Sequence, residues 1–298
     1  MRPGTREHKE LFCSTFIATH PRYEPSELNW PELEPLYLER VRSIPFWGTA
    51  RATETRAGVM VAEFARSISD PLIRQAIEVQ GIEEARHARM MEHLIERYDL
   101  PAKDVSLPHR GASRDEFMGF GYEECLDAFL GFALFGLARK VEYFPAAFLS
   151  IFENILMEEA RHVTFFVNWV RYEEARAGRD DYFLRTATTV RNYARSLNRL
   201  IDSFSGDVNA TGFAASGAGA IFADVTPRSF LESALAENER YMSRLDPRLI
   251  KPNLLPTLAT IILMALRALP PAKKSGAVLP SQNGTLAHTA GAETISRP

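Results

Sequence analysis

The sequence predicts an all-α protein, and three observations carry that reading. Apolar residues recur at helical spacing through most of the chain, and no segment alternates with period two. The clearest local signals are helix starts: Asp70-Pro71, Ser113 with Glu116 three residues on, and Thr226-Pro227. With 298 residues, 46% hydrophobic and 24% charged, the chain can bury a core without covalent staples. A formal charge of −3 gives no basic footprint for nucleic acid, so no nucleic-acid partner is expected. Cys13 and Cys125 form no CxxC and no disulfide framework, which makes a reducing cytoplasm the default location.

Residues 1 to 30 read as irregular with short helical possibilities, and Met1 to Glu10 show no secretory signal. Trp30-Pro31 suits the start of a helix running to about Arg42. A helix from about Thr49 to Ser67 carries Glu54, Ala57, Gly58, Val61, Ala65 and Ile68 on one stripe. The helix opened by Asp70-Pro71 runs to about Tyr98, with Ile73, Ala76, Ile77, Gln80, Glu84, His87, Met91 and Leu94 on its stripe. Ser113 opens a third long helix to about Lys140, in which Gly131 and Gly136 lie among Phe129, Phe132, Phe135 and Leu137. These glycines lower helix propensity and are expected to leave room for something. Pro145 opens the fourth, with Phe148, Phe152, Ile155, Glu159, His162, Phe166 and Trp169 on one face.

Beyond Gly178, a helix is expected from about Asp181 to Phe204, then a small-residue loop from Gly206 to Ala220. Another helix runs from Thr226-Pro227 to near Asp246-Pro247. The most apolar window, Leu254 to Leu269, is shorter than the roughly 20 residues that span a bilayer, so a buried or docking helix is expected and no membrane span. Residues 1–271 therefore read as a single helical domain, and 272–298 as a disordered tail.

One pentapeptide occurs twice, Glu83-Glu84-Ala85-Arg86-His87 and Glu158-Glu159-Ala160-Arg161-His162. Glu-Glu-Ala-Arg alone is ordinary helix-surface sequence, and it recurs at Glu173 to Arg176 with Ala177 where histidine would stand. Of the seven histidines, only His87 and His162 have glutamate three residues earlier. That spacing places Glu84 beside His87, and Glu159 beside His162, on one helix face as a chelating pair. Both pairs interrupt apolar stripes, where uncompensated charge is costly and a metal ion would compensate it.

Two such pairs, with one further carboxylate from each of two other helices, make the inward-facing site of a four-helix di-metal protein. For the first, Glu54 and Glu63 lie nine residues apart, about 900° of helix, and face opposite sides. Glu54 shares the apolar stripe, and its midpoint with Glu84 falls at Ser69 beside the predicted turn. For the second, hairpin geometry does not separate Glu124 from Asp127; the stripe through Phe117, Phe120, Ala128, Gly131 and Phe135 favours Glu124. Metal ligands are thus expected at Glu54, Glu84, His87, Glu124, Glu159 and His162.

This order of residues, over about 49 to 176, resembles the ferritin-like superfamily of di-iron carboxylate oxidases and oxygenases. The pattern is similar to the oxidases related to the ribonucleotide reductase small subunit, and the Glu-Glu-x-Arg-His form to the acyl-carrier-protein desaturases. The resemblance implies a four-helix bundle with added N- and C-terminal helices, two iron ions or a manganese-iron pair, and O2 as co-substrate. It also implies Glu54 and Glu124 as outer carboxylates, Glu84 and Glu159 as bridges, and one histidine per metal. Glu83 and Glu158 are expected to be solvated or to lie behind the ligands. Arg86 and Arg161 are expected in ion pairs at the surface or behind the ligands, and Cys125 in the core. The implied function is an O2-dependent oxidoreductase acting on a small hydrophobic organic substrate, with an external electron donor and a homodimeric state. The substrate would lie beside Gly131, with the 206–220 loop over its entrance. The alternatives are a ferroxidase or iron-storage protein, for which the chain is long, and a radical-generating subunit, for which Tyr122 and Tyr143 are the nearby tyrosines.

Overall fold

A computed structural model describes residues 2–109, 111–179, 181–205 and 225–268. The described residues hold nine α-helices and no strand. The 206–220 loop and the 272–298 tail expected from sequence lie outside the described residues.

Four long helices form the framework: α3 (Trp47–Ser67), α4 (Pro71–Tyr98), α5 (Arg114–Lys140) and α6 (Ala146–Arg176). Their ends are set by the residues the sequence marks. Asp70 accepts hydrogen bonds from the Leu72 and Ile73 amides at 3.1 and 3.2 Å, Ser113 accepts from the Glu116 amide at 3.2 Å, and Pro145 directly precedes α6. The turn between α5 and α6 passes through Glu142 at φ 50°.

The pairs α3/α4 and α5/α6 run antiparallel. A Cβ placed on Gly58 would lie 3.1 Å from the Ala85 amide nitrogen, and one on Gly81 would lie 3.2 Å from that of Ala62, so these glycines let the α3 and α4 backbones touch. Apolar clusters fill both ends of the framework. One contains Phe64, Ile73, Phe117 and Trp169, the other Trp47, Leu94, Ala138 and Phe148. The charged stripe lies between them.

The remaining helices differ from expectation in part. The first residues are not irregular: α1 (Arg6–Ala18) is a full helix, capped by Thr5, that buries Phe12, Cys13 and Phe16 against α4 and α6. Helix α2 (Pro35–Arg42) begins later than Trp30-Pro31 suggests, because Pro35 disfavours helical geometry at Glu34 and itself supplies the first turn. Helix α7 (Tyr182–Ser205) packs on α5. Helix α8 (Pro227–Met242), capped by Thr226, ends before Asp246-Pro247, in turns that follow Met242. It lies close over Gly136, where a Cβ would meet the Ser233 and Glu237 side chains at 2.5 and 2.6 Å, so the room at Gly136 is taken by a helix. Helix α9 (Leu254–Ala268) buries Ala259 in a cluster with Ala234 of α8, also buries Leu263, and exposes Leu258, Ile261, Ile262 and Met264. No helix among the described residues is long and apolar enough to cross a membrane.

Candidate metal centre

All six side chains singled out in the sequence meet in the layer between the apolar clusters. Ligand atoms of Glu54, Glu84 and His87 lie within 4.8 Å of one another, as do those of Glu84, Glu159 and His162. Glu84 presents Oε2 to His87 Nδ1 at 3.8 Å and Oε1 to His162 Nδ1 at 3.1 Å. Glu159 does the same, at 3.3 Å from His87 Nδ1 and 3.8 Å from His162 Nδ1. Glu54 reaches only the His87 side at 3.7 Å, and Glu124 only the His162 side at 3.8 Å. Two carboxylates therefore face both histidines and two face one histidine each. Neither α5 acid falls within those two groups: Glu124 approaches His162, while Asp127, the alternative one turn along the helix, lines the cavity beside them.

The first glutamate of each pentapeptide is buried and lies behind the histidines. Glu158 is fully buried and sits 2.7 Å from His87 Nε2 and 2.8 Å from Arg86. Glu83, equally buried, sits 2.8 Å from His162 Nε2, 2.6 Å from Arg161 and 2.5 Å from His20 Nδ1. Each copy thus supplies the carboxylate that holds the other copy's histidine, with its own arginine bound to the glutamate of the other copy. Successive helix residues diverge by about 100°, so when Glu84 and Glu159 face the centre, Glu83 and Glu158 face the neighbouring helix. Helix α1 and the segment after it close the outside: the Phe16 carbonyl and Thr19 hydroxyl accept from Arg161, and the Tyr23 ring lies 4.4 Å from the Arg86 guanidinium.

These contacts orient the imidazoles. With each Nε2–H donating to a glutamate, Nδ1 points into the carboxylate layer, where its lone pair would serve a cation. His87 Nδ1 and His162 Nδ1 are buried and accept no hydrogen bond. Two orphaned nitrogens, each faced by carboxylate oxygens at 3.1 to 3.8 Å, are what a pair of divalent cations would satisfy. Without ions the layer distorts ordinary acid strengths. Burial, opposed by His87, pushes the Glu54 carboxyl up to about 7. Burial together with Glu84 and Glu159 raises Glu124 well above its usual range. Burial would also raise Glu84, yet the two histidines hold it at about 2. Both imidazoles lose basicity to burial and regain more from the surrounding carboxylates, His162 reaching about 10.

A residue that sequence reasoning did not single out completes one half. Gln80, buried one turn before Glu84, points Nε2 at Glu124 (3.2 Å to the nearer oxygen) and at Glu84 (3.4 Å). The same position on α6 is Ile155. The available signal was a polar residue inside an otherwise apolar stripe. Cys125 is a core residue as expected, its thiol pushed up to about 12 by burial.

Against the carboxylate face lies a cavity of about 170 Å³. All four carboxylates line it and neither histidine does. Its other walls are mainly apolar, including Phe46, Met91, Phe120, Phe135, Phe152 and Ile155. Gly131 opens onto it: a Cβ there would meet only Leu156, at 3.9 Å. No protein-family model, no curated protein and no solved structure matches this chain.

Proposed function

We propose that this chain is a non-haem di-iron, O2-dependent oxidoreductase of a hydrophobic organic molecule, built on a ferritin-like four-helix bundle. The observation that supports it most directly is the pair of orphaned histidine nitrogens, facing two shared and two terminal carboxylates, with an apolar cavity on the carboxylate side. Mixed imidazole and carboxylate donors suit iron or manganese, so a manganese-iron pair is compatible with the same ligands. Four carboxylates balance two divalent charges, and the outer Glu83–Arg161 and Glu158–Arg86 pairs are balanced separately. Bound irons would supply reduction of O2, for which an external donor provides electrons.

The chain's own residues prepare that chemistry. Glu83 and Glu158 fix the histidine tautomers, and Glu84 and Glu159 are placed to be shared between two ions. The mainly apolar cavity walls suit an organic body held against the carboxylates. A cavity of this kind favours oxidation of an organic substrate over iron storage, since ferrous ions need a polar route and no apolar chamber.

The test is anaerobic loading with ferrous iron followed by metal analysis. Two ions per chain are expected, and His162→Ala or Glu124→Ala should lose at least one while Asp127→Asn keeps both. If the Ala variants retain two ions with full affinity, the site is misassigned. Gly131→Leu should keep both irons and abolish organic oxidation. Were the wild type instead to consume O2 only in proportion to ferrous iron and accumulate a mineral, storage would replace this reading.

A further inference from the structure

Helix α7 is covered on one side only. Tyr193 and Ser196 are buried, and the Tyr193 ring packs edge-on against Tyr122 of α5 at 5.0 Å. Away from that contact the helix carries an apolar stripe in solvent. At 100° per residue, Phe183, Ala187, Val190, Ala194 and Leu197 fall within about 40° of one line, and all five are exposed. Apolar residues at this spacing are the mark of a helix face that is buried against something, yet Phe183 is 80% exposed, Val190 48% and Leu197 46%.

The first turn adds to the stripe. Tyr182 and Leu184, on either side of Phe183, are 64% and 71% exposed. Consecutive residues diverge by about 100°, so these three side chains spread over about 200° of the helix. A helix docked alongside covers a stripe of about 100°, whereas a fluid apolar phase closes round all three. Asp181 caps this turn, its carboxylate accepting from the Leu184 amide at 2.9 Å.

Charge selects the kind of surface. From Tyr182 to Asn198 the charged residues are Arg185, Arg191 and Arg195, with no acid among them. Arg191 and Arg195 are exposed and lie about 80° and 120° round from the stripe, on the flank away from Tyr193. An arginine in that position lays its stem on the apolar face and holds its guanidinium level with a phosphate. A second copy of this helix would bring these arginines no carboxylate. An anionic bilayer supplies hydrocarbon for the stripe and phosphate for the arginines together.

We propose that α7 docks on the surface of a membrane containing anionic phospholipid, entering at its Tyr182 to Leu184 end with the stripe turned to the hydrocarbon. The contact is interfacial, since no helix among the described residues is long and apolar enough to cross. It places no demand on the metal layer and stands apart from the function proposed above.

The full chain is sedimented with vesicles of phosphatidylcholine alone and with vesicles that also contain phosphatidylglycerol. Binding to the anionic vesicles is expected to be tighter by about thirtyfold for two arginines at the surface, and high salt should remove the difference. Arg191→Gln with Arg195→Gln should remove it too. Phe183→Ser with Leu184→Ser should weaken binding to the anionic vesicles by about tenfold or more. Both pairs alter exposed side chains, so the melting temperature should hold; Leu197→Ser repeats the test if the serine pair does not fold. Phe183→Trp should shift its emission to the blue when anionic vesicles are added. Failure of the folded wild type to sediment overturns the proposal, as does equal binding to the two kinds of vesicle. Binding that every α7 variant retains also overturns it, and places the contact on another face such as the exposed side of α9. A wild type that dimerises without binding lipid, and becomes monomeric on Phe183→Ser, assigns the face to a second copy instead. A melting temperature lowered by Phe183→Ser, again without lipid binding, assigns it to the chain's own residues 206–224.

Discussion

The α3/α4 half and the α5/α6 half of the site carry the same ligand chemistry on different packing. Each half contributes a lone glutamate and one copy of the pentapeptide, and the two copies hold each other's histidines through nearly equal distances of 2.7 and 2.8 Å. The α3 and α4 backbones are in contact at Gly58 and Gly81, whereas α5 and α6 are held apart by side chains, with the Phe166 ring packed over Gly121 and Leu156 standing off Gly131. The cavity lies where the looser pair leaves space. Gln80 ties Glu124 on one side, while the other side has Ile155 and no equivalent amide for Glu54. On the di-metal reading, holding two ions would need the shared features, and choosing a substrate and ranking the two ions would depend on the differences.

The largest expected effect tests the shared features. Glu158→Ala strands Arg86 and His87 in a buried layer, and Glu83→Ala strands Arg161 and His162. Breaking a buried ion pair by deleting one partner costs about 3–5 kcal/mol. Glu83 also binds His20 at 2.5 Å, so its removal should cost the more of the two. Urea denaturation of the metal-free chain measures both. A cost below about 1 kcal/mol for either would mean that its arginine is solvated and the two halves are not equivalent.

Acidity reads the same layer. Glu54 at about 7, the raised Glu124 and His162 at about 10 all bind protons more strongly than in the unfolded chain. Their contributions are complete below the unfolded values of 4.5 for the acids and 6.5 for histidine. They are lost as pH rises through the folded values. Glu83 and Glu84 are depressed, so their contribution is present above 4.5 and is lost as pH falls below it. The metal-free chain should be most stable near pH 4.5–5 and weaken steadily towards pH 10. Divalent ions should remove the alkaline decline, because a metal-bound carboxylate carries no proton and a metal-bound imidazole carries none on Nδ1. A flat urea midpoint between pH 5 and 9 without metal would contradict this.

Much of this was legible in the chain because its signals are local. Asp70-Pro71, Ser113 and Pro145 mark helix starts by their own chemistry, and Glu-x-x-His places two ligands on one face at any helix position. The helix from Arg6 was not legible, since Phe12 and Phe16 have nothing to pack on until α4 and α6 are beside them. Glu83 and Glu158 were left between two environments for a related reason. A residue turned about 100° from the ligand face meets either water or a neighbouring helix, and only the packing decides which. Gln80 was visible on the stripe, but its partner Glu124 is 44 residues away.

The asymmetry in polar partners should appear as unequal metal affinity. Gln80→Leu removes a hydrogen bond to a charged carboxylate, worth about 1.5 kcal/mol at the weak end of that class given its 3.2 Å length. The ion on the His162 side should weaken by about tenfold and the ion on the His87 side should be unaffected. Gln80 Oε1 is itself buried without a partner, so the metal-free fold should lose little. Stepwise titration with a divalent ion resolves the two affinities, and equal weakening of both sites would show that Gln80 acts through Glu84 rather than Glu124.

The smallest effect tests the difference in packing, and its sign matters more than its size. Glycine inside a helix is less stable than alanine by about 0.5–1 kcal/mol when nothing opposes the added methyl. At Gly131 that methyl would meet only Leu156 Cδ2 at 3.9 Å, an ordinary contact, so Gly131→Ala should stabilise the chain by about that amount. At Gly58 the methyl would stand 3.1 Å from the Ala85 backbone nitrogen, which cannot move without parting the helices. Gly58→Ala should therefore destabilise by about 1–3 kcal/mol. Opposite shifts in melting temperature are expected, at about 2–4 °C per kcal/mol for a chain of this size. Two destabilising shifts would mean that α5 and α6 touch at Gly131 as α3 and α4 do at Gly58, and the space assigned to substrate would not exist. With opposite signs, glycine at 131 costs stability and keeps room open, which is the mark of a position retained for what it admits.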